Sequence, residues 1–159
     1  MPNNHTSVRC LLVPLGADQL LLPSAVVAEV SPYSEPESPS KKKPNRMLGI
    51  INWRNQRVPL LSIEEALSLP LATSATKKYH TVILYGLEST QTMPFYAFIS
   101  SNAPHALKVT EKNLSNPSRA NVRPGVVFKL KVNQNETALL PDLSYLENLL
   151  TESYLQKSS

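Results

Sequence analysis

The sequence predicts a mainly β protein, built as small barrels or a sandwich with a few short helices. Three observations carry this. Short apolar runs bounded by Gly, Pro, Asn and Asp recur at close spacing; Val126 to Val132 alternates Phe128, Leu130 and Val132 with Lys129 and Lys131; and helical signals are confined to brief stretches. With 159 residues, the chain is long enough for one domain that buries roughly 70% of its unfolded-state surface.

The elements follow in order. Val8 to Val13 and Leu20 to Leu22 flank the turn signal Gly16-Ala17-Asp18 and read as a β-hairpin that Pro23 ends. Ser24 to Val30 sets Val26, Val27 and Val30 at the one-face spacing of a helical turn or two. Residues 31–46, rich in Pro, Ser and Lys, have nothing to bury and read as a flexible, solvated loop. Met47 to Arg54 and Arg57 to Leu61 form a second hairpin turning at Asn55-Gln56. That register pairs Trp53 with Val58, Ile51 with Leu60, Asn52 with Pro59 and Arg54 with Arg57. Ser62 and Glu65 have the capping-box spacing for a short helix through Ala66 to Leu69, stopped by Pro70. After a polar connection at Thr73 to Lys78, Thr81 to Tyr85 and Phe95 to Ile99 are strands joined by the loop Glu88 to Thr92. Ser100 to Arg123 is weakly patterned. Val126 to Val132 turns at Asn133-Gln134-Asn135 into Thr137 to Leu140, and Ser144 with Glu147 marks a last helix whose Leu146, Leu149, Leu150 and Tyr154 share a face. Both halves therefore run as strands, a hairpin and a capped helix, as two similar small barrels would.

Composition excludes several classes. An apolar fraction of 42% with 18% charged residues is ordinary for a globular protein. No run approaches the roughly 20 apolar residues that a spanning helix needs, so no direct membrane insertion is expected. The opening MPNNHTSVRC lacks the basic and apolar regions of a secretory signal, which sets the expectation of a cytoplasmic protein. The single cysteine, Cys10, lies in an apolar run and reads as a buried thiol in a reducing compartment.

Chemistry is equally sparse. His5, His80 and His105 are widely separated and have no second ligand at helical spacing, so no metal site is expected. Glu35/Glu37 and Glu64/Glu65 are the only paired carboxylates, the first in the solvated loop and the second at a helix start that favours acids anyway. No nucleophile elbow or phosphate-binding loop occurs, and four glycines give no loop able to cradle a phosphate. The sequence reads as non-catalytic, with no catalytic residue, no cofactor and no small-molecule substrate.

What remains is charge. The net charge is +4, and Lys41, Lys42, Lys43, Arg46, Arg54 and Arg57 occur with no acid among them. One reading is a basic β-barrel module that binds nucleic acid; against it, the lysines have no interleaved aromatics to stack bases. Arg54 opposite Arg57 would cost about 0.2–1 kcal/mol unless an anion lies beside them. That anion is either internal, with Glu29 a candidate, or a partner's.

Leu22-Pro23, Val26/Val27, Glu29 and Val30, followed by Gly49-Ile50-Ile51-Asn52-Trp53-Arg54-Asn55-Gln56-Arg57-Val58-Pro59, resemble the CheW-like domain, whose pattern runs L-P, V-x-E-V, a loop, then G-V-I-N-L-R-G-x-V-I-P. Order and spacing agree over roughly the first 70 residues; the second half agrees in strand order and in Leu139-Leu140-Pro141-Asp142 before a helix. Trp53 to Leu60 is similar to the adaptor branch of type IV pilus chemosensory systems, of the ChpC/PilI type. The resemblance implies a single CheW-like domain over 6–155, folded as two small SH3-like β-barrels packed side by side with short helices. It implies a cytoplasmic, non-catalytic signalling adaptor that couples methyl-accepting chemoreceptors to a CheA-type histidine kinase, a two-component pathway serving chemotaxis or twitching motility. The family's Arg in N-L-R-G lies in the partner-contacting region and maps onto Arg54, with Asn52 and Gly49 as motif positions and Asn55 in place of the motif glycine. The expected protein-binding residues are Gly49, Asn52, Trp53, Arg54, Asn55 and Arg57. Ile99-Ser100-Ser101-Asn102 stands where many relatives have V-D-x-V, which leaves contacts from the second barrel open.

Overall fold

Leu20, Leu21 and Leu22 are all fully buried although successive strand residues point to opposite faces, so the strand that holds them is covered on both sides. In a computed structural model of the chain, residues 7–37, 47–67, 69, 79–88, 91–110, 124–132 and 136–157 are described, side chains as far as 152. Strands β1 (Val8–Leu15), β2 (Asp18–Pro23), β8 (His105–Val109), β9 (Val126–Lys131) and β10 (Thr137–Pro141) form one sheet in the order β8-β1-β2-β10-β9. Strands β3 (Val27–Pro32), β4 (Met47–Trp53), β5 (Gln56–Leu61), β6 (His80–Tyr85) and β7 (Phe95–Ser100) form the other, in the order β3-β6-β7-β5-β4.

Three apolar clusters explain the double burial. Cys10, Leu12, Leu21, Leu130 and Val132 pack inside the first sheet, and Ile51, Val58, Leu60, Ile83 and Ala97 inside the second. Between the sheets, Val13, Leu20 and Leu22 from one side meet Val82, Leu84, Tyr96 and Phe98 from the other, together with Ile63 and Leu67 around helix α1 (Ile63–Ala66) and Leu146 and Leu150 of helix α2 (Leu143–Lys157). Each fully buried leucine contributes about 1.5–3 kcal/mol, so the shared layer fixes how the sheets face each other. This mainly β arrangement agrees with two small SH3-like barrels side by side.

The barrels are not the two halves of the chain. Each sheet has the same plan, with one parallel pair, Leu139 beside Leu20 and Leu60 beside Ala97. In each, a hairpin leads into a helix: β4-β5-α1 and β9-β10-α2. The second sheet takes its remaining hairpin, β6-β7, after its helix, whereas the first takes β1-β2 from the start of the chain. The repeat is therefore circularly permuted, which hides it from a comparison of first half with second.

Several local expectations are corrected. The helical turn at Ser24 to Val30 is a single 3-10 turn, Ser24–Val26, and Val27 begins a strand. A bulge between Val27 and Glu29 lets Val27 and Val30 oppose Leu84 and Val82 on one face, so a bulged strand imitates helical spacing. In the weakly patterned stretch, His105–Val109 is an edge strand; most of its positions are exposed, leaving little apolar alternation to read. Ser62 makes no side-chain cap to α1. Asp142, not Ser144, caps α2 by accepting the Tyr145 N–H on Oδ1 at 3.2 Å. Of residues 31–46, Ser31 and Pro32 complete β3, and Glu37 bridges Ile50 through two backbone hydrogen bonds. Residues 38–46 lie outside the described residues, with Lys41, Lys42, Lys43 and Arg46 among them. So do Pro70, Thr73 to Lys78, the turn Asn133 to Asn135 and the side chain of Tyr154.

Candidate functional site

The hairpin β4-β5 turns one residue earlier than its sequence suggests. Arg54 and Asn55 take φ values of 47° and 63°, the two positive angles of a tight hairpin loop. Trp53 therefore pairs with Gln56, Asn52 with Arg57, Ile51 with Val58 and Ile50 with Pro59. Because the pairing slides by two residues, every side chain keeps its predicted face. Ile51, Trp53, Val58 and Leu60 still share the barrel side. Arg54 does not face Arg57.

Each arginine instead has its own acid. Glu29 stands on β3, at the far end of the sheet order from β4, yet its carboxylate reaches across the barrel mouth. It accepts the Trp53 indole N–H on Oε2 at 2.7 Å and an Arg54 guanidinium N–H on Oε1 at 2.7 Å. The bonds from Trp53 and Arg54, in that order, hold the Glu29 carboxyl below the usual carboxylate range. Arg54 also lies over the Trp53 ring, with Cζ 4.9 Å from the centroid. Its side chain remains 67% exposed against 33% for Glu29. Beneath, Trp53 meets Phe95 edge-on at 4.8 Å, and Phe95 meets the exposed Tyr85 at 5.6 Å.

On the opposite face, Glu37 serves the other pair. Asn52 Nδ2 donates to Glu37 Oε1 at 2.9 Å, and Arg57 Nη1 lies 3.6 Å from Glu37 Oε2. Both partners of that ion pair are exposed, so it contributes little to stability. Its placement depends on the Glu37–Ile50 bridge, which lies on the side of β4 away from β5. Gly49 lies at the bulge between Met47 and Gly49 with φ 154°, a conformation that suits glycine. The six predicted residues thus occupy one hairpin but divide into two faces and a turn. Like-charge crowding no longer argues for a partner here, because Glu29 and Glu37 neutralise the arginines internally.

Two contributors escape a reading of the sequence. Glu37 sits in a Pro/Ser segment without strand pattern, and the Tyr85–Phe95 ledge requires knowing that these residues are ladder partners. A third is Glu147, which is fully buried. Its carboxylate accepts the backbone N–H groups of Leu87 and Glu88 at 3.0 and 2.8 Å, and Ser144 Oγ donates to Glu88 at 2.6 Å. Glu147 thereby ties α2 to the loop whose flanks carry Tyr85 and Phe95. Its negative charge and, first, burial push the Tyr96 hydroxyl well above the usual tyrosine range. Burial likewise raises the Cys10 thiol.

The hairpin's ionisable side chains, Arg54 and Arg57, are each paired with an acid from outside it, Glu29 and Glu37. Among the described residues, no three His, Cys, Asp or Glu side chains converge as metal ligands, and no helix is long and apolar enough to cross a membrane. The site offers an exposed guanidinium and an indole on the β4-β5 hairpin beside the rings of Phe95 on β7 and Tyr85 on β6, which suits contact with another protein.

Comparison with known proteins gives three results. The family model described as CheW-like domain matches residues 9–149. The fold is similar to the crystal structure of the scaffolding protein TtCheW from Thermoanaerobacter tengcongensis, with a TM-score of 0.72, 14% identity, and 92% of this chain and 91% of that chain covered. Among curated proteins, no sequence matches.

Proposed function

The chain belongs to the CheW-like domain family, and we propose that it acts as a non-catalytic scaffold in chemosensory signalling, one domain over 6–155 that couples methyl-accepting chemoreceptors to a CheA-type histidine kinase in the cytoplasm. The observation that carries this reading is the Glu29–Trp53–Arg54 clip. It sits at the Arg position of the family's N-L-R-G pattern, and it holds a largely exposed guanidinium rigidly over an aromatic ledge. Aromatic and arginine side chains are the groups that most often dominate protein interfaces.

In this reading Trp53 and Arg54 make the contact, Asn55 permits the turn, and Gly49 permits the bulge that sets the strand. Asn52 and Arg57, held by Glu37, form a second, more polar contact on the other face. The run from Trp53 to Leu60 supports the ChpC/PilI type, and with it a role in type IV pilus control and twitching motility.

The test is affinity capture with the full chain from extract of its own cells, followed by identification of the bound proteins. Recovery of a histidine kinase and a chemoreceptor, both reduced with the Arg54→Ala protein, is the expected result. Recovery of neither would refute the proposal.

A further inference from the structure

On the other sheet, Arg9 and Lys108 are direct cross-strand partners of β1 and β8. Their side chains therefore leave the same face side by side. Both residues are exposed, and neither has an ion pair among the described residues. The contrast with the hairpin is direct, since Arg54 and Arg57 each have an acid of this chain beside them. Like charges directly opposite one another weaken a strand pair, so this pair costs stability that nothing in the described chain returns.

Among the described residues the same strand also has an open edge: β8 ends its sheet order, with a ladder on its β1 side alone. His105, Ala106 and Lys108 are exposed along it. An unpaired edge offers backbone N–H and C=O groups to an incoming strand, and a lysine there discourages any strand that brings no negative charge. Two positions along from the cations, on the same face, exposed Ala106 lies opposite half-buried Leu11.

We propose that the outer edge of β8 is a docking edge for an extended acidic segment of a partner polypeptide, which adds as a strand and sets carboxylates against Lys108 and Arg9. Side chains alternate along a strand, so a residue two positions from the carboxylate falls beside Ala106 and is small and apolar. A polypeptide fits better than a nucleic acid for two reasons. The open backbone edge matches another strand, and neither β1 nor β8 carries a Trp, Tyr or Phe on which a base could stack. The proposal stands apart from the hairpin site and does not depend on the partners assigned there.

The test titrates the full chain with a fluorescein-labelled peptide of alternating glutamate and valine, and maps amide shifts by NMR. Saturable binding is expected, weakened by salt, with the largest shifts at His105 to Val109. Lys108→Glu should weaken binding about fivefold, the upper range for an exposed ion pair, while raising the midpoint of urea unfolding, because the new carboxylate meets Arg9. Lys108→Gln, which adds no acid, should also weaken binding. Absence of saturable binding, equal binding of a lysine-for-glutamate peptide, shifts centred elsewhere, or a single-stranded oligonucleotide binding this edge in place of the peptide would each overturn it.

Discussion

The Glu29 carboxylate accepts the indole N–H of Trp53 at 2.7 Å across the mouth of the second barrel. The two residues come from the strands at opposite ends of the sheet order, so the bond closes what the backbone ladder leaves open. Glu29→Gln keeps the shape but gives up the charge-assisted bonds to Trp53 and Arg54, which are the stronger kind. Trp53 is the only tryptophan of the chain, so its fluorescence reads the clip without labelling. The expected outcome is a red-shifted, more readily quenched emission in Glu29→Gln with the fold intact by circular dichroism. Unchanged emission would show that the clip does not hold the ring.

The same carboxylate gives stability a pH dependence of known sign. Its folded pKa lies below the ordinary glutamate value of about 4.3, so the folded state binds its proton less readily than the unfolded chain. The contribution is complete above the unfolded value and is lost as pH falls through the lower, folded one. Urea unfolding of the natural protein and of Glu29→Gln should therefore differ by a constant amount near neutrality. That gap should close as pH drops below about 4.3, the ordinary glutamate range.

Glu147 carries a larger share of stability than any exposed pair. Its buried carboxylate satisfies two backbone N–H groups of the loop after β6, and hydrogen bonds to a charged group contribute about 1.5–3 kcal/mol each. Glu147→Ala should lower the unfolding free energy by about 2–4 kcal/mol. Glu147→Gln, which retains one acceptor oxygen, should lose less. Because the loop is flanked by Tyr85 and Phe95, which lead to Trp53, the alanine protein should also shift the Trp53 emission at temperatures where it is folded.

How far the sequence discloses this depends on the range of the interaction. Turn residues and face alternation are local, so the β1-β2 and β4-β5 hairpins and the grouping of Ile51, Trp53, Val58 and Leu60 can be read directly. The turn itself misleads, because an arginine rather than the expected asparagine takes the first positive φ. The bulge in β3 disguises a strand as a helical turn, and exposed β8 has too little apolar pattern to show. Glu29 can be suspected as an internal acid, but its bond to Trp53 spans 24 residues and depends on barrel closure. Glu37 is placed by a backbone bridge to Ile50 and Glu147 accepts from backbone N–H groups, and no pattern of side chains encodes either.

The most direct measurement is calorimetric titration of the purified chain with the regulatory domain of its own histidine kinase and with the tip of its own chemoreceptor. Natural protein is compared with Arg54→Ala, and cooperative thermal unfolding confirms that the variant is folded. Saturable binding by the natural protein is expected, with a loss of at least about tenfold, or 1.4 kcal/mol, for Arg54→Ala toward one or both partners. Equal affinity of the two proteins for both partners would contradict it.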